Sequence, residues 1–208
     1  MIVRRLGHSV LRAPAAYELF QRALGGPALR RRIVGEFVRP ASGARILDLG
    51  CAGGRLLDCL PQGVEYTGVD VSTPSIEAGR ARYGERARFI ASDARTVDVS
   101  ELAGRADIVL AIALLHHLDD EGAAAVVETA DRHLRPGGRF VALDAALVAG
   151  QAFLARWLIE RDQGEHSRRP DEYAELIAQR FEVERVTTIT DGLRVPYTHV
   201  IVEARKRA

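Results

Sequence analysis

Three aspartates follow short apolar runs in the first half of this 208-residue chain: Asp48, Asp70 and Asp93. Asp48 opens the segment Asp48-Leu49-Gly50-Cys51-Ala52-Gly53-Gly54. Glycines between a strand and a helix permit a tight turn and let a ligand approach the backbone closely. A carboxylate inside such a turn repels a pyrophosphate and suits a cationic ligand bearing an ammonium group. The dinucleotide pattern G-x-G-x-x-G would put glycine at 50, 52 and 55, where the chain has Gly50, Ala52 and Arg55, so that fingerprint fails. Asp70 ends the run Tyr66-Thr67-Gly68-Val69-Asp70. It lies about 20 residues past the turn, where a carboxylate can accept both hydroxyls of a ribose. Asp93, in Ala91-Ser92-Asp93-Ala94, can accept from an exocyclic adenine amine. The plain alternative for these acids is to cap a helix or form a turn.

Farther along, Ala113-Leu114-Leu115-His116-His117-Leu118 brings two imidazoles to the end of an apolar run. An imidazole accepts a proton near neutral pH. Arg161, Asp162, His166 and Arg168 make a charged segment that can recognise an acidic or polar group, or simply be solvated. Tyr197 and His199 alternate on the last predicted strand and share one face. No His-x-x-x-His or Cys-x-x-Cys spacing occurs, so no metal is expected.

The elements that must position these residues alternate. Strands are predicted at Arg45–Leu49, Glu65–Val71, Arg88–Ala91, Ile108–Leu114 and Arg139–Asp144. Helices are predicted between them at Arg55–Leu60, Ser75–Tyr83 and Glu121–Leu134, the last stopped by Pro136-Gly137-Gly138. That rhythm predicts an α/β sheet with parallel strands and right-handed crossovers. Before it, residues 1–40 read as a helical cover, with Val10, Leu11, Leu19, Phe20 and Leu24 at helical spacing and a second helix over Ala28–Val38. Residues 145–180 read as a helical insert, with helices over Leu147–Glu160 and Asp171–Gln179. Phe181–Thr190 and Arg194–Ala204 read as two strands of a hairpin around Asp191-Gly192.

Composition bounds the class. The whole chain reads as one domain. Formal net charge is +1, which implies neither nucleic-acid nor membrane partners. Two cysteines, Cys51 and Cys59, suit a reduced, cytoplasmic protein rather than a stapled one. No apolar run is long enough to span a bilayer, and no secretory signal is evident.

Asp48-x-Gly50-Cys51-Ala52-x-Gly54, Asp70 and Asp93, in that order, resemble the successive S-adenosylmethionine (SAM)-binding motifs of the class I methyltransferases. Leu134-Arg135-Pro136-Gly137-Gly138 and the terminal hairpin are also similar to that family, which usually has glycine where this chain has Ala52. The resemblance implies a Rossmann-like, doubly wound, seven-stranded sheet with an antiparallel last strand and helical cap elements. It implies cofactor contacts at Asp48, Gly50, Cys51, Ala52, Gly54, Asp70, Val71, Ser92, Asp93, Ala94 and Ala111. It puts the end of the fourth strand beside the reacting methyl, making His117, and secondarily His116, candidate bases. Function in this fold diversifies in added pieces. The cover and insert therefore suggest substrate contacts at Tyr17, Arg161, His166 and Tyr197, with Arg12 a further polar candidate. The implied activity is methyl transfer from SAM to O, N or C of a small molecule, giving S-adenosylhomocysteine, by a monomer or homodimer. The Asn/Asp-Pro-Pro-Tyr pattern for base or amide nitrogens is absent after the fourth strand. A SAM-binding enzyme of the same fold that catalyses cyclisation, and a non-catalytic binding module, are the competing readings; a nicotinamide oxidoreductase is disfavoured by the broken glycine pattern.

Overall fold

The computed structural model describes residues 23–161 and 166–207. Seven strands form one sheet: β1 Arg45–Leu49, β2 Glu65–Asp70, β3 Ala87–Ala91, β4 Ala106–Ile112, β5 Leu134–Ala145, β6 Phe181–Ile189 and β7 His199–Lys206. Their order is β3-β2-β1-β4-β5-β7-β6, and β7 runs antiparallel to both neighbours. The order reverses between β1 and β4, which pair in parallel. That reversal opens a crevice beyond the carboxyl ends of the strands.

Alternating side chains of the buried strands feed two cores. Leu47, Val109 and Phe140 face α3 (Asp120–His133) and α5 (Pro170–Ala178), meeting Val126, Tyr173 and Ile177. Ile46, Leu110 and Val141 face the opposite way, onto Ile33 and Phe37, which follow α1 (Gly26–Arg32) in the π-helical turns Ile33–Val38, and onto Ile76 of α2 (Thr73–Tyr83). Strands covered on both faces are mostly apolar, which is why Ile46–Leu49 of β1, apart from Asp48, and Ile108–Ile112 of β4 were legible as short apolar runs.

Several boundaries shift by a residue or two, β4 from Ile108–Leu114 to Ala106–Ile112 among them, and four departures have a visible cause. The helix predicted over Arg55–Leu60 is a single 3-10 turn, Arg55–Asp58, ended before Pro61. β5 starts at Leu134, directly after α3, and carries Pro136-Gly137-Gly138 inside it. It does so with a register shift against β4 between Ala106 and Ile108, and a Cβ on Gly138 would lie 2.9 Å from the Arg135 carbonyl oxygen. The helix predicted from Leu147 is the shorter α4, Phe153–Arg161. Residues ahead of it are held elsewhere: the Ala146 N–H donates to the Thr198 carbonyl, and Ala146 forms a parallel bridge with Arg168. The second hairpin strand starts at His199 rather than Arg194, because the preceding loop docks along α1. Arg32 at the end of α1 pairs with Asp191 at 2.8 Å, and the Arg194 N–H donates to the Leu24 carbonyl, just ahead of α1, at 2.8 Å.

Candidate active site

The turn after β1 is built by left-handed backbone at Gly50 (φ 76°), Ala52 (φ 46°) and Gly54 (φ 69°). Two of these positions also leave no room for a side chain. A Cβ on Gly50 would lie 2.8 Å from Leu114, and one on Gly54 would lie 2.5 Å from the Phe89 ring. Ala52 tolerates its conformation because its N–H donates to Asp70 Oδ2 at 2.8 Å. The other Asp70 oxygen accepts from the Ser72 N–H at 2.8 Å. Asp70 therefore ties β2 to the glycine turn and keeps further lone pairs on both oxygens for a ligand. Val71, 78% exposed, sets an apolar side chain next to it. The Ser92 N–H donates to the Asp70 carbonyl, and Ala94 is buried behind it.

Asp48 lies beneath the turn, buried, with Oδ2 accepting from Tyr66 Oη–H at 2.6 Å. Its Oδ1 is buried with no hydrogen-bond partner among the described residues. Burial pushes the carboxyl up to about 7, the Tyr66 hydroxyl opposes this, and the Asp70 charge adds to it. The folded chain thus holds a proton on Asp48 that the unfolded chain releases between about pH 4 and pH 7. Stability contributed by this group is present below that window and falls as pH rises through it, by roughly 4 kcal/mol in all. Urea unfolding of ligand-free protein should show wild type losing stability from pH 5 to 8 relative to Asp48→Asn. Parallel pH profiles for the two proteins would contradict the assignment.

At the far side of the crevice, Leu114 packs on Gly50, and the turn that follows carries the two histidines. His116 is buried, and its Nδ1 lies 2.7 Å from Oδ1 of Asp144, the buried acid near the end of β5. The same oxygen accepts the His116 backbone N–H at 3.1 Å. A carboxylate acceptor places the ring proton on Nδ1 and leaves Nε2 as a lone-pair acceptor. His117 is exposed, its ring 4.0 Å from that of His116. The sequence favoured His117 as base, but the carboxylate-oriented ring is His116.

Several sequence-predicted contacts are displaced. Cys51 turns its thiol into the core, where a Cβ on Gly68 would meet Sγ at 2.6 Å, and burial pushes the thiol far up. Its N–H is spent on the Val69 carbonyl. Ala111 is fully buried one residue before the end of β4, paired with Leu49, and offers a ligand no surface; the exposed residue just past the strand is Ala113, at φ 56°. Asp93 is clasped by the Arg95 guanidinium through both oxygens at 2.5–3.0 Å, which holds it below the usual carboxylate range. A purine amine would have to compete with Arg95 there. Arg161 lies 4.5 Å over the Trp157 ring. Tyr197 precedes β7 rather than lying in it, its ring 4.9 Å from His199. His166 is exposed and reaches the site through its backbone, donating to the His116 carbonyl at 3.0 Å. Arg12, Tyr17 and Asp162 lie outside the described residues.

Three residues escaped the sequence reading as site residues, Tyr66, Leu114 and Asp144, and Arg168 entered it only as a member of a charged segment. Asp144 carried the one usable signal, an acid near the end of a strand in the same relation to β5 as Asp70 to β2.

A switch-point crevice with an acid-bearing glycine turn on one side and a histidine–aspartate pair on the other sits on a Rossmann-like, doubly wound sheet with an antiparallel seventh strand. Residues 46–138 match the family described as a methyltransferase domain. The ubiquinone biosynthesis O-methyltransferase of Bordetella avium is 33% identical over 115 residues, covering 53% of this chain and 46% of that protein. The chain thus aligns with about half the length of the curated relatives it matches. The 1,6-didemethyltoxoflavin-N1-methyltransferase of Burkholderia thailandensis, solved with 1,6-didemethyltoxoflavin and S-adenosylhomocysteine, has a TM-score of 0.71 at 23% identity. That match covers 97% of this chain and 87% of the other. The [4+2]-cyclase SpnF has a TM-score of 0.72 at 16% identity, covering 87% and 80%. Over residues 46–138 the chain is thus similar to methyltransferases, and the solved structures share its fold.

Proposed function

We propose that this chain transfers the methyl group of SAM to an oxygen or nitrogen of a small molecule, with His116 accepting the proton that leaves. The observation that carries the reading is the His116–Asp144 pair, set in the same crevice as the acid-bearing turn. The residues present fit the cofactor. Asp70 has lone pairs to spare toward ribose hydroxyls. The unpartnered Asp48 Oδ1 could accept from the ammonium of the amino acid arm, whose charge would favour the ionised carboxylate over the protonated one held by the ligand-free chain. Bound SAM supplies an electrophilic methyl on a sulfonium. The chain's own task is to orient the acceptor, exclude water and take up one proton. A base of this kind is needed only for an acceptor that carries a proton, which favours O–H and N–H compounds. O-methylation by the Bordetella relative and N1-methylation by the Burkholderia neighbour are in keeping with that class.

Incubation with a metabolite extract and methyl-labelled SAM should yield labelled product and S-adenosylhomocysteine in equal amounts. Product formed without S-adenosylhomocysteine would favour the cyclisation reading instead. Asp70→Ala should weaken SAM binding by about 1–3 kcal/mol, the scale of lost hydrogen bonds to a charged acceptor. Calorimetry checks this, and an unchanged affinity would mean that the ribose lies elsewhere.

A further inference from the structure

We propose that Arg168, which the sequence offered only as part of a charged loop, is the positioning residue that sets the His116–Asp144 pair. This rests on the reading of His116 as the base. His116 and Asp144 belong to different elements: a turn after β4 and the end of β5. Their 2.7 Å contact therefore depends on whatever fixes those two segments relative to each other. Arg168 is bound to both. Its backbone bridges Ala146, two residues past Asp144, and its carbonyl accepts the Leu147 N–H at 3.1 Å. Its side chain crosses to the histidine turn.

All five guanidinium N–H donors are used there. Nη1 donates to the Leu115 carbonyl at 3.0 Å and the His166 carbonyl at 3.1 Å. Nη2 donates to the Leu118 carbonyl at 2.9 Å and to Asp120 Oδ1 at 2.7 Å, and Nε donates to the same oxygen at 3.0 Å. The carbonyls of Leu115 and Leu118 bracket His116 and His117, so one rigid fork grips both ends of the turn. The His166 N–H holds the carbonyl of His116 itself. The ion pair with Asp120 is not the main purpose, since that carboxylate is 95% exposed and such pairs contribute little. The buried carbonyls need a planar donor with several fixed directions, which lysine does not provide. Loosening the grip lets the turn drift, and misplacement of a catalytic group by about an ångström costs on the order of 100-fold in rate.

The test compares wild type with Arg168→Lys, Arg168→Gln and Asp120→Ala. Ring 15N spectra of histidine-labelled protein, with the His116 signals assigned from His116→Ala, report its tautomer. Wild type and Asp120→Ala should show His116 protonated on Nδ1. Both Arg168 variants should show a mixture of tautomers and a rate of methyl transfer lowered roughly 10- to 100-fold. SAM affinity by calorimetry should stay within about twofold of wild type. A wild-type His116 signature in either soluble Arg168 variant would overturn the proposal. So would a loss of SAM affinity matching the loss of rate, and so would failure of both variants to fold, since each marks a general structural staple. Full activity in His116→Ala would instead sink the base reading, which the ring spectra do not depend on.

Discussion

Replacing His116 by alanine is expected to lower the turnover of methyl transfer roughly 100- to 10,000-fold, the usual contribution of a positioned general base. SAM affinity should not change, because His116 is tied to Asp144 of β5, whereas the acids that would hold the cofactor are Asp48 of β1 and Asp70 of β2. The orientation of the ring is what makes His116 a base. Asp144 Oδ1 accepts from both the backbone and the ring of His116, so the carboxylate fixes the ring plane and the proton position together. Asp144→Asn should cost nearly as much as His116→Ala. A carboxamide can present its NH2 group to Nδ1, which moves the ring proton to Nε2 and removes the lone pair that would accept from substrate. His117→Ala should cost less, since the Asp144 contact belongs to its neighbour. Release of S-adenosylhomocysteine under saturating SAM measures all three variants. A full rate in His116→Ala would refute the assignment, and a much larger loss in His117→Ala would return the role to the exposed ring.

What the sequence disclosed follows from the range over which each interaction acts. β1 was legible to the residue because burial on both faces demands apolar side chains, here Ile46, Leu47 and Leu49, interrupted only by the site acid Asp48. The Asp48–Gly54 turn and Asp70 were legible because strand, turn and next strand lie within about one β-α-β unit. The choice between the two histidines was not legible. It depends on Asp144, 28 positions away, and only the β4–β5 pairing brings it near. Arg168 was hidden for the same reason, reaching back 53 positions to the Leu115 carbonyl. Pro136-Gly137-Gly138 misled because the three residues usually end regular structure. Here the open space above Gly138 is filled by the Arg135 and Ala106 carbonyls, so the strand continues through them with a register shift. The hairpin around Asp191-Gly192 was overdrawn because Arg32 and Leu24 recruit the loop to α1, a tertiary preference outweighing a local turn signal.

A large loss of stability on substitution is expected away from the active site, at Glu203. This buried carboxylate on β7 gathers three guanidiniums: Arg39 after α1 at 2.7 Å, Arg139 of β5 at 3.2 Å, and Arg185 of β6. Arg139 also donates to the Phe37 and Val38 carbonyls at the end of the π-helical turns, at 2.6 and 2.7 Å. One carboxylate thus joins the antiparallel edge of the sheet to the N-terminal helix. Burial and the neighbouring Arg39 charge pull Arg139 downward, with Glu203 acting against them. Glu203→Gln preserves shape but leaves three cations without their counter-charge. Breaking a buried ion pair from one side typically costs 3–5 kcal/mol. Arg39 and Arg185 keep 53% and 49% of their side chains exposed and can rehydrate, whereas Arg139 at 16% cannot, so the lower end of that range applies. About 3 kcal/mol corresponds to a fall in Tm of roughly 6–12 °C for a chain of this size. Arg39→Ala and Arg185→Ala, each removing a half-exposed partner, should cost about 1 kcal/mol or less. Thermal and urea unfolding of the three variants decide the matter: equal, small losses would show that the carboxylate is not the hub of the cluster, and that the backbone contacts of Arg139 alone hold α1 to the sheet.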